Sequence, residues 1–167
     1  ILAGLRRDGS PLADALACAP VELNEHRLAE LHAGAAAGGL PLLDPAALDA
    51  APAPGMAVAN EYLDALPVHL VEVHQGRPRE VHVGIGCDGA FEDVLGELSG
   101  VALAERLAAL ASAGIELAEG QRLEVCLEVE PWAREVGRRL AAGLVLVIDY
   151  GAPAAELFGA RRRAVTL

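Results

Sequence analysis

The sequence contains no lysine and few aromatic residues, and it is strongly acidic. All 13 basic residues are arginine, and 24 acidic residues outnumber them, which gives a formal net charge of −11. Because such a chain would repel phosphates, the charge argues against a nucleic-acid partner. The apolar runs are short and broken by Gly, Pro or Asp, so none could span a membrane, and no signal-peptide pattern opens the sequence. The sequence therefore predicts a soluble protein with a packed core.

Cysteine and histidine are too scattered to predict a metal site or a disulfide framework. The three cysteines, Cys18, Cys87 and Cys126, form no C-x-x-C pair. The five histidines show no H-E-x-x-H spacing. We therefore expect no metal, and we expect the protein to work in a reducing compartment.

Four short apolar runs predict buried parallel strands, because each run is apolar on both faces, as in strands that helices cover on both sides. An acidic residue lies at or just beyond the end of each run. In open α/β sheets, ligands bind beyond the carboxyl ends of the strands, so these acids are candidate site residues. The runs are Ala17–Leu23, Leu40–Leu43, Met56–Ala59 and Leu144–Ile148, and the acids are Glu22, Asp44, Glu61 and Asp149.

The middle of the chain has a different pattern. Apolar and polar residues alternate from His69 to Val83 around the turn-like QGRP, which predicts an antiparallel hairpin with one wet face. A helix is predicted over Val101–Ala113. We therefore divide the chain into a partial α/β core over residues 1–68, an inserted hairpin and helix segment over residues 69–120, and a return to the core over residues 121–167.

Two further helices are predicted from their boundary residues. Asn24 is a candidate N-cap for a helix that follows the first apolar run. Pro131 suits the first turn of another helix, which includes Trp132 and which Gly143 would end.

The segment GIGCDG, Gly84 to Gly89, fits the G-x-G-x-x-G pattern of dinucleotide-binding proteins. Its context argues against that function, because the residues before it alternate where a first parallel strand should be continuously apolar. The expected ribose-binding acid about twenty residues further on is also absent, since AERLAAL occupies that position. Asp88-Gly89 is better explained as a hairpin turn, while AFEDVLGEL, just beyond it, fits a helix or a strand.

The chain carries no G-x-S-x-G, and no serine lies at a predicted strand-to-helix elbow, so a nucleophilic triad is not predicted. The acids remain, although an acid after a strand often only caps the next helix or stays in solvent. Two places argue for more than that. Five apolar residues lead directly into Asp149-Tyr150-Gly151, and Asn60-Glu61 is followed by LDALP, which allows one helical turn before Pro67.

NEYLDALPVH resembles the NEFLDALPV signature of the MidA-like S-adenosylmethionine-dependent methyltransferases, whose mitochondrial members assist assembly of respiratory complex I. LVLVIDYG, with the preceding WAREVGRRLAAG, resembles the second landmark of that family. The resemblance covers nearly the whole chain, and it implies a Rossmann-like core with an insertion after the fourth core strand. It also implies a cytoplasmic protein, or one of the mitochondrial matrix in a eukaryote, and it leaves a homodimer open.

The resemblance implies roles for individual residues. Glu22 would bind the cofactor ribose, Asp44 would lie near the adenine, and Asn60 would also contact the cofactor. Glu61 and Asp64 are the first candidates for orienting an acceptor guanidinium, since a carboxylate can bind it bidentately. Asp149 is the alternative for that catalytic role.

The resemblance implies an S-adenosylmethionine-dependent enzyme that methylates arginine in a protein substrate. The glycine-rich loop of the family would precede Ile1, and Ile1 begins inside an amphipathic pattern without a cap, so we expect the chain to be part of a longer protein. Without that loop, the fragment should bind cofactor poorly. Two alternatives remain: a non-catalytic assembly factor that binds a partner, and a dinucleotide-binding oxidoreductase.

Overall fold

The computed structural model describes residues 2–159, which form two compact units. One unit holds residues 2–56 with 136–144, and the other holds residues 57–135 with the described residues from 145 onward. No helix in this described part of the chain is both long and apolar enough to cross a membrane.

The helices are α1 (Leu2–Arg7), α2 (Leu12–Ala15), α3 (Glu25–Ala37), α4 (Ala47–Ala50), α5 (Val101–Ser112), α6 (Val129–Arg139) and α7 (Ala154–Leu157). The strands are β1 (Ala53–Asn60), β2 (His69–His74), β3 (Arg77–Ile85), β4 (Phe91–Gly96), β5 (Arg122–Val125) and β6 (Leu140–Ile148).

Strands β1 and β6 form a two-stranded sheet and run in the same direction. Near their starts, Gly143 approaches Gly55 so closely that a Cβ on Gly143 would collide with the Gly55 carbonyl. At their ends, the Glu61 N–H donates a hydrogen bond to the Ile148 carbonyl at 2.8 Å. Because the starts meet and the ends meet, the carboxyl ends of both strands lie at the same edge, as in a parallel α/β sheet.

The second sheet is antiparallel, with the strand order β4-β3-β2-β5. Its inner face packs against α5, and Val71, Leu103, Leu107, Leu123 and Val125 form the buried cluster. The predicted hairpin around QGRP is confirmed as β2 and β3, and the predicted helix over Val101–Ala113 is confirmed as α5. Strand β5 pairs with β2, and it therefore belongs to this antiparallel sheet.

GIGCDG joins two antiparallel strands and does not open a helix. Gly84 and Ile85 end β3, and the Gly86 N–H donates to the Ala90 carbonyl at 2.8 Å just before β4 begins. Gly89 has a φ of 80°, which glycine adopts without steric cost. The hairpin-turn interpretation is confirmed, and AFEDVLGEL supplies strand β4.

Some local predictions were wrong. The runs Ala17–Leu23 and Leu40–Leu43 form no strands, and they contribute only a parallel bridge between Cys18 and Leu42. Gly143 does not end a helix, because α6 already stops at Arg139 and Gly143 lies inside β6. The last strand is also not buried on both faces: Ile148 is 50% exposed, and among the described residues β6 pairs only with β1.

The prediction for Asn24 is confirmed. Its side-chain oxygen accepts a hydrogen bond from the Arg27 N–H at 3.1 Å, which caps the first turn of α3. Such a cap satisfies one of the amide donors that the first helical turn leaves without an intrahelical partner.

Candidate active site

Glu61, the first residue after β1, has a backbone conformation that glutamate rarely adopts. Its φ is 46°, in the left-handed region. That region costs a non-glycine residue free energy and persists where the surrounding structure enforces it, often at functional sites. The hydrogen bond from its N–H to the Ile148 carbonyl is one such constraint. The conformation turns the chain sharply at the edge where β1 and β6 end.

Asp149, the first residue after β6, is already engaged by backbone donors. One carboxylate oxygen accepts from the Leu63 N–H at 2.7 Å, and the other accepts from the Tyr150 N–H at 2.9 Å. The side chain therefore ties the end of β6 to the segment that follows β1. A carboxylate used in this way is suited to holding the turn in place.

The turn after Glu61 carries the second candidate acid. The Leu66 N–H donates to the Leu63 carbonyl at 3.2 Å, which closes a single turn over the predicted LDALP segment. Glu61 and Asp64 are both exposed, and within residues 2–159 no hydrogen bond or ion pair is recorded for either carboxylate. These two acids are thus available to a ligand, and the structure brings Asp149 against the segment that carries them.

The predicted cofactor residues have different surroundings. Glu22 accepts a hydrogen bond from the Asn24 N–H at 2.8 Å, and Asp44 accepts one from the Ala46 N–H at 2.9 Å. In each case one carboxylate oxygen holds the backbone two residues ahead, and the other oxygen has no recorded bond among the described residues. Asn60 is the last residue of β1, and it is exposed. The roles of these three residues in cofactor binding stay predictions.

Two aromatic residues were not singled out as site residues by the sequence interpretation. Tyr62 follows Glu61 directly, and its ring centroid lies 5.7 Å from that of Trp132 on α6, with the ring planes tilted by 35°. Both side chains are half-buried. The scarcity of aromatic residues could have drawn attention to this pair, since the chain has one Trp and two Tyr.

A metal centre has no support in the part of the chain that the structure describes. No group of three or more His, Cys, Asp or Glu side chains there is arranged to hold an ion. Carboxylates such as the described acids can bind and orient a cationic or hydroxyl-bearing ligand, and they can accept a proton.

Comparison with known proteins connects this site to a family. Residues 10–167 match a family described as "Putative S-adenosyl-L-methionine-dependent methyltransferase". A structure from Burkholderia thailandensis, described as a "likely methyl transferase" bound to S-adenosyl-homocysteine, is similar with a TM-score of 0.74 and 30% identity over 97% of this chain and 41% of that one. An uncharacterized protein of the same organism gives a TM-score of 0.57 and 35% identity over 66% of this chain and 28% of that one. No curated protein matches the chain.

The predicted α/β fold class is confirmed by this likeness, which covers the parallel pair as well as the antiparallel sheet. The chain spans less than half of the length of either solved structure.

Proposed function

Since this chain belongs to the family of S-adenosyl-L-methionine-dependent methyltransferases, we propose that the whole protein transfers a methyl group to an arginine side chain of a protein substrate. The observation that supports the proposal most directly is the placement of Glu61. Its carboxylate is exposed and has no hydrogen-bond or ion-pair partner within residues 2–159, and the residue has a φ of 46° at the carboxyl edge of the parallel pair.

Two properties of Glu61 and Asp64 suit a guanidinium acceptor. A carboxylate can bind guanidinium through two parallel hydrogen bonds, which fixes the plane of the group as well as its position. The same carboxylate can also receive the proton that the acceptor nitrogen gives up when its bond to the methyl carbon forms. Most of the rate enhancement would come from orientation, since the acceptor nitrogen must lie in line with the methyl group.

S-adenosylmethionine supplies the methyl group on a positively charged sulfur, and the bond from that sulfur to the methyl carbon breaks as the new bond to nitrogen forms. Glu22 fits the ribose of this cofactor, because one of its oxygens holds the Asn24 N–H while the other can accept from a hydroxyl group. We assign Asp44 to the adenine and Asn60 to the cofactor on the basis of the resemblance.

The geometry favours Glu61 and Asp64 over Asp149 as the acids that contact the acceptor. Both oxygens of Asp149 already accept backbone N–H groups. Further donors would have to compete for its remaining lone pairs. Asp149 is therefore proposed as the residue that positions the turn.

The finer assignment within the family rests on NEYLDALPVH. Its likeness to the MidA-like signature supports a role in the assembly of respiratory complex I. In that case the acidic chain, with its net charge of −11, would favour an arginine-bearing partner.

The test compares Glu61→Gln with Glu105→Gln in the intact protein. Glutamine keeps the shape of the side chain but removes the charge that pairs with guanidinium. Glu105 is an exposed glutamate on α5 and serves as the matched control. Tritiated methyl incorporation into arginine of a protein substrate should fall about a hundredfold or more for Glu61→Gln and stay unchanged for Glu105→Gln.

A calorimetric titration with S-adenosylmethionine accompanies the transfer assay. We expect Glu61→Gln to bind the cofactor as the unmodified protein does. Transfer at the normal rate by Glu61→Gln would remove Glu61 from the reaction. Tight cofactor binding by the unmodified protein, without methylation of any arginine, would favour the non-catalytic assembly factor.

A further inference from the structure

Three consecutive residues of the candidate site are each held by a contact from elsewhere in the same unit. The Glu61 N–H is bonded to the Ile148 carbonyl, the Tyr62 ring contacts Trp132, and the Leu63 N–H is bonded to the Asp149 carboxylate. The first and third constraints act on the backbone from the end of β6. The second acts on a side chain from α6, and it is the one that the proposed function leaves without a role.

Trp132 lies on a helix end that is itself anchored. Its N–H donates to the Glu128 carbonyl at 3.0 Å. The neighbouring Glu130 carboxylate accepts hydrogen bonds from Arg106 on α5 and from Arg134 on the next turn of α6. The Arg106 guanidinium holds the pKa of Glu130 below its usual range, so this acid stays charged and paired at neutral pH. Leu103 and Leu107 of α5 are buried in the core, so the Arg106–Glu130 ion pair connects the first turn of α6, which carries Trp132, to a helix that packs against the sheet.

We propose that Trp132 is a positioning residue that acts through Tyr62 to hold Glu61 in its left-handed conformation. A φ of 46° is costly for glutamate, and it persists only if neighbouring contacts prevent the chain from relaxing. If the indole holds Tyr62 in place, the backbone of Glu61 cannot rotate, so the direction of its Cα–Cβ bond and the position of its carboxylate are fixed. Without the indole, Tyr62 could move, and the hydrogen bonds of the Glu61 and Leu63 N–H groups on either side of it would open more often.

The inference rests on the proposed function for its kinetic test. In the intact protein, Trp132→Leu should lower kcat for methyl transfer about tenfold to a hundredfold, the range for a displacement of about 1 Å at a positioned group. The Kd for S-adenosylmethionine should stay the same. Trp132→Phe keeps an aromatic face for Tyr62 and should restore most of kcat. The matched control is Phe91→Leu, an aromatic residue of β4 that is 82% exposed, and its kcat should equal that of the unmodified protein.

A second measurement needs no catalysis. Hydrogen exchange followed by NMR reports the Glu61 and Leu63 amides directly, since both are bonded in the structure. In Trp132→Leu these two amides should exchange at least about tenfold faster, whereas the Val71 and Leu123 amides of the antiparallel sheet should not change. Trp132→Phe should exchange as the unmodified protein does.

The outcomes separate the two proposals. An unmodified protein that transfers no methyl group to arginine would overturn the proposed function, and the exchange rates would still decide the role of Trp132. Unchanged exchange at Glu61 and Leu63 in Trp132→Leu would overturn the positioning role. A normal kcat in that variant, with an active unmodified protein, would overturn it as well.

Discussion

The carboxylate of Asp149 accepts a hydrogen bond from the Leu63 backbone N–H at 2.7 Å, across 86 positions of sequence. This bond connects the residue that follows β6 to the turn that follows β1. It also explains why two stretches that look unrelated in the sequence, NEYLDALP and IDYG, both contain polar residues directly after an apolar run. One carries the free acids, and the other supplies the acid that fixes them.

Asp149→Asn should loosen this turn. The amide side chain has one acceptor oxygen where the carboxylate has two, so either the Leu63 or the Tyr150 N–H loses its partner. We expect the free energy of unfolding to fall by about 1–3 kcal/mol, the cost of a half-buried donor left without an acceptor, as measured by urea denaturation. Asp64→Asn is the control, since Asp64 is exposed and should change stability by less than about 0.5 kcal/mol. Equal stability of both variants would contradict the structural role of Asp149.

Glu22→Ala should weaken cofactor binding in the intact protein. If Glu22 accepts a hydrogen bond from a ribose hydroxyl, its removal should cost about 1.5–3 kcal/mol of binding free energy, the range for a bond to a charged group. Calorimetric titration with S-adenosylmethionine measures the change. Glu30→Ala on the exposed side of α3 is the control and should bind normally. An unchanged Kd with an intact fold would remove Glu22 from the cofactor site.

Gly143→Ala should strongly destabilise the protein. A Cβ at this position would collide with the backbone carbonyl of Gly55, and the φ of 148° is unfavourable for alanine. The control is Gly137→Ala, since Gly137 lies in α6 with no atom near its missing Cβ. Alanine there should raise the free energy of unfolding by about 0.5–1 kcal/mol. A Gly143→Ala protein as stable as the unmodified one would contradict the close approach of β1 and β6.

Glu80 should make the stability of the antiparallel sheet depend on pH. The residue is 6% exposed, one carboxylate oxygen lies 2.7 Å from His69 Nδ1, and the other accepts from the Ser99 N–H at 2.6 Å. Burial raises the pKa of Glu80, but the hydrogen bonds from His69 and Ser99 together outweigh it, so the pKa lies below its ordinary value of 4.5. A lowered pKa in the folded state means that the charged form stabilises the fold.

The stabilisation by Glu80 is therefore complete above pH 4.5 and declines as the pH falls through the lowered pKa of the folded state. Urea denaturation should show Glu80→Gln to be less stable than the unmodified protein at neutral pH. The difference should shrink when both are measured near pH 3, where the unfolded glutamate binds its proton. A difference that is equally large at both pH values would refute the linkage.

The alternating segments were predictable because their information is local. A period of two residues places every second side chain on the same face of a strand, and QGRP supplies a turn between two such strands. Leu103 and Leu107 lie one helical turn apart, so they face the sheet together. Asn24 needs only the amide three residues ahead to act as a cap.

The apolar runs were less predictable, because continuous hydrophobicity does not specify a partner strand. Ala17–Leu23 and Leu144–Ile148 were both predicted as strands, yet only the second becomes one. The difference arises from strand pairing. Residues 140–148 pair with β1, where Gly55 and Gly143 allow the two backbones to approach closely. The first run forms only a single bridge, between Cys18 and Leu42.

The sequence by itself predicted the methyltransferase family, through the motif that carries Asn60, Glu61 and Asp64, and it predicted carboxylates as the candidate site residues. Only the tertiary structure distinguished the surroundings of these acids. Asp149 and Glu61 are both acids after apolar strands, and nothing local separates them. The Asp149 carboxylate accepts a hydrogen bond from the Leu63 backbone N–H, whereas Glu61 has a left-handed φ and an exposed side chain. That distinction depends on a hydrogen bond between residues that are 86 positions apart in the sequence, and such a contact forms only when β1 and β6 have paired.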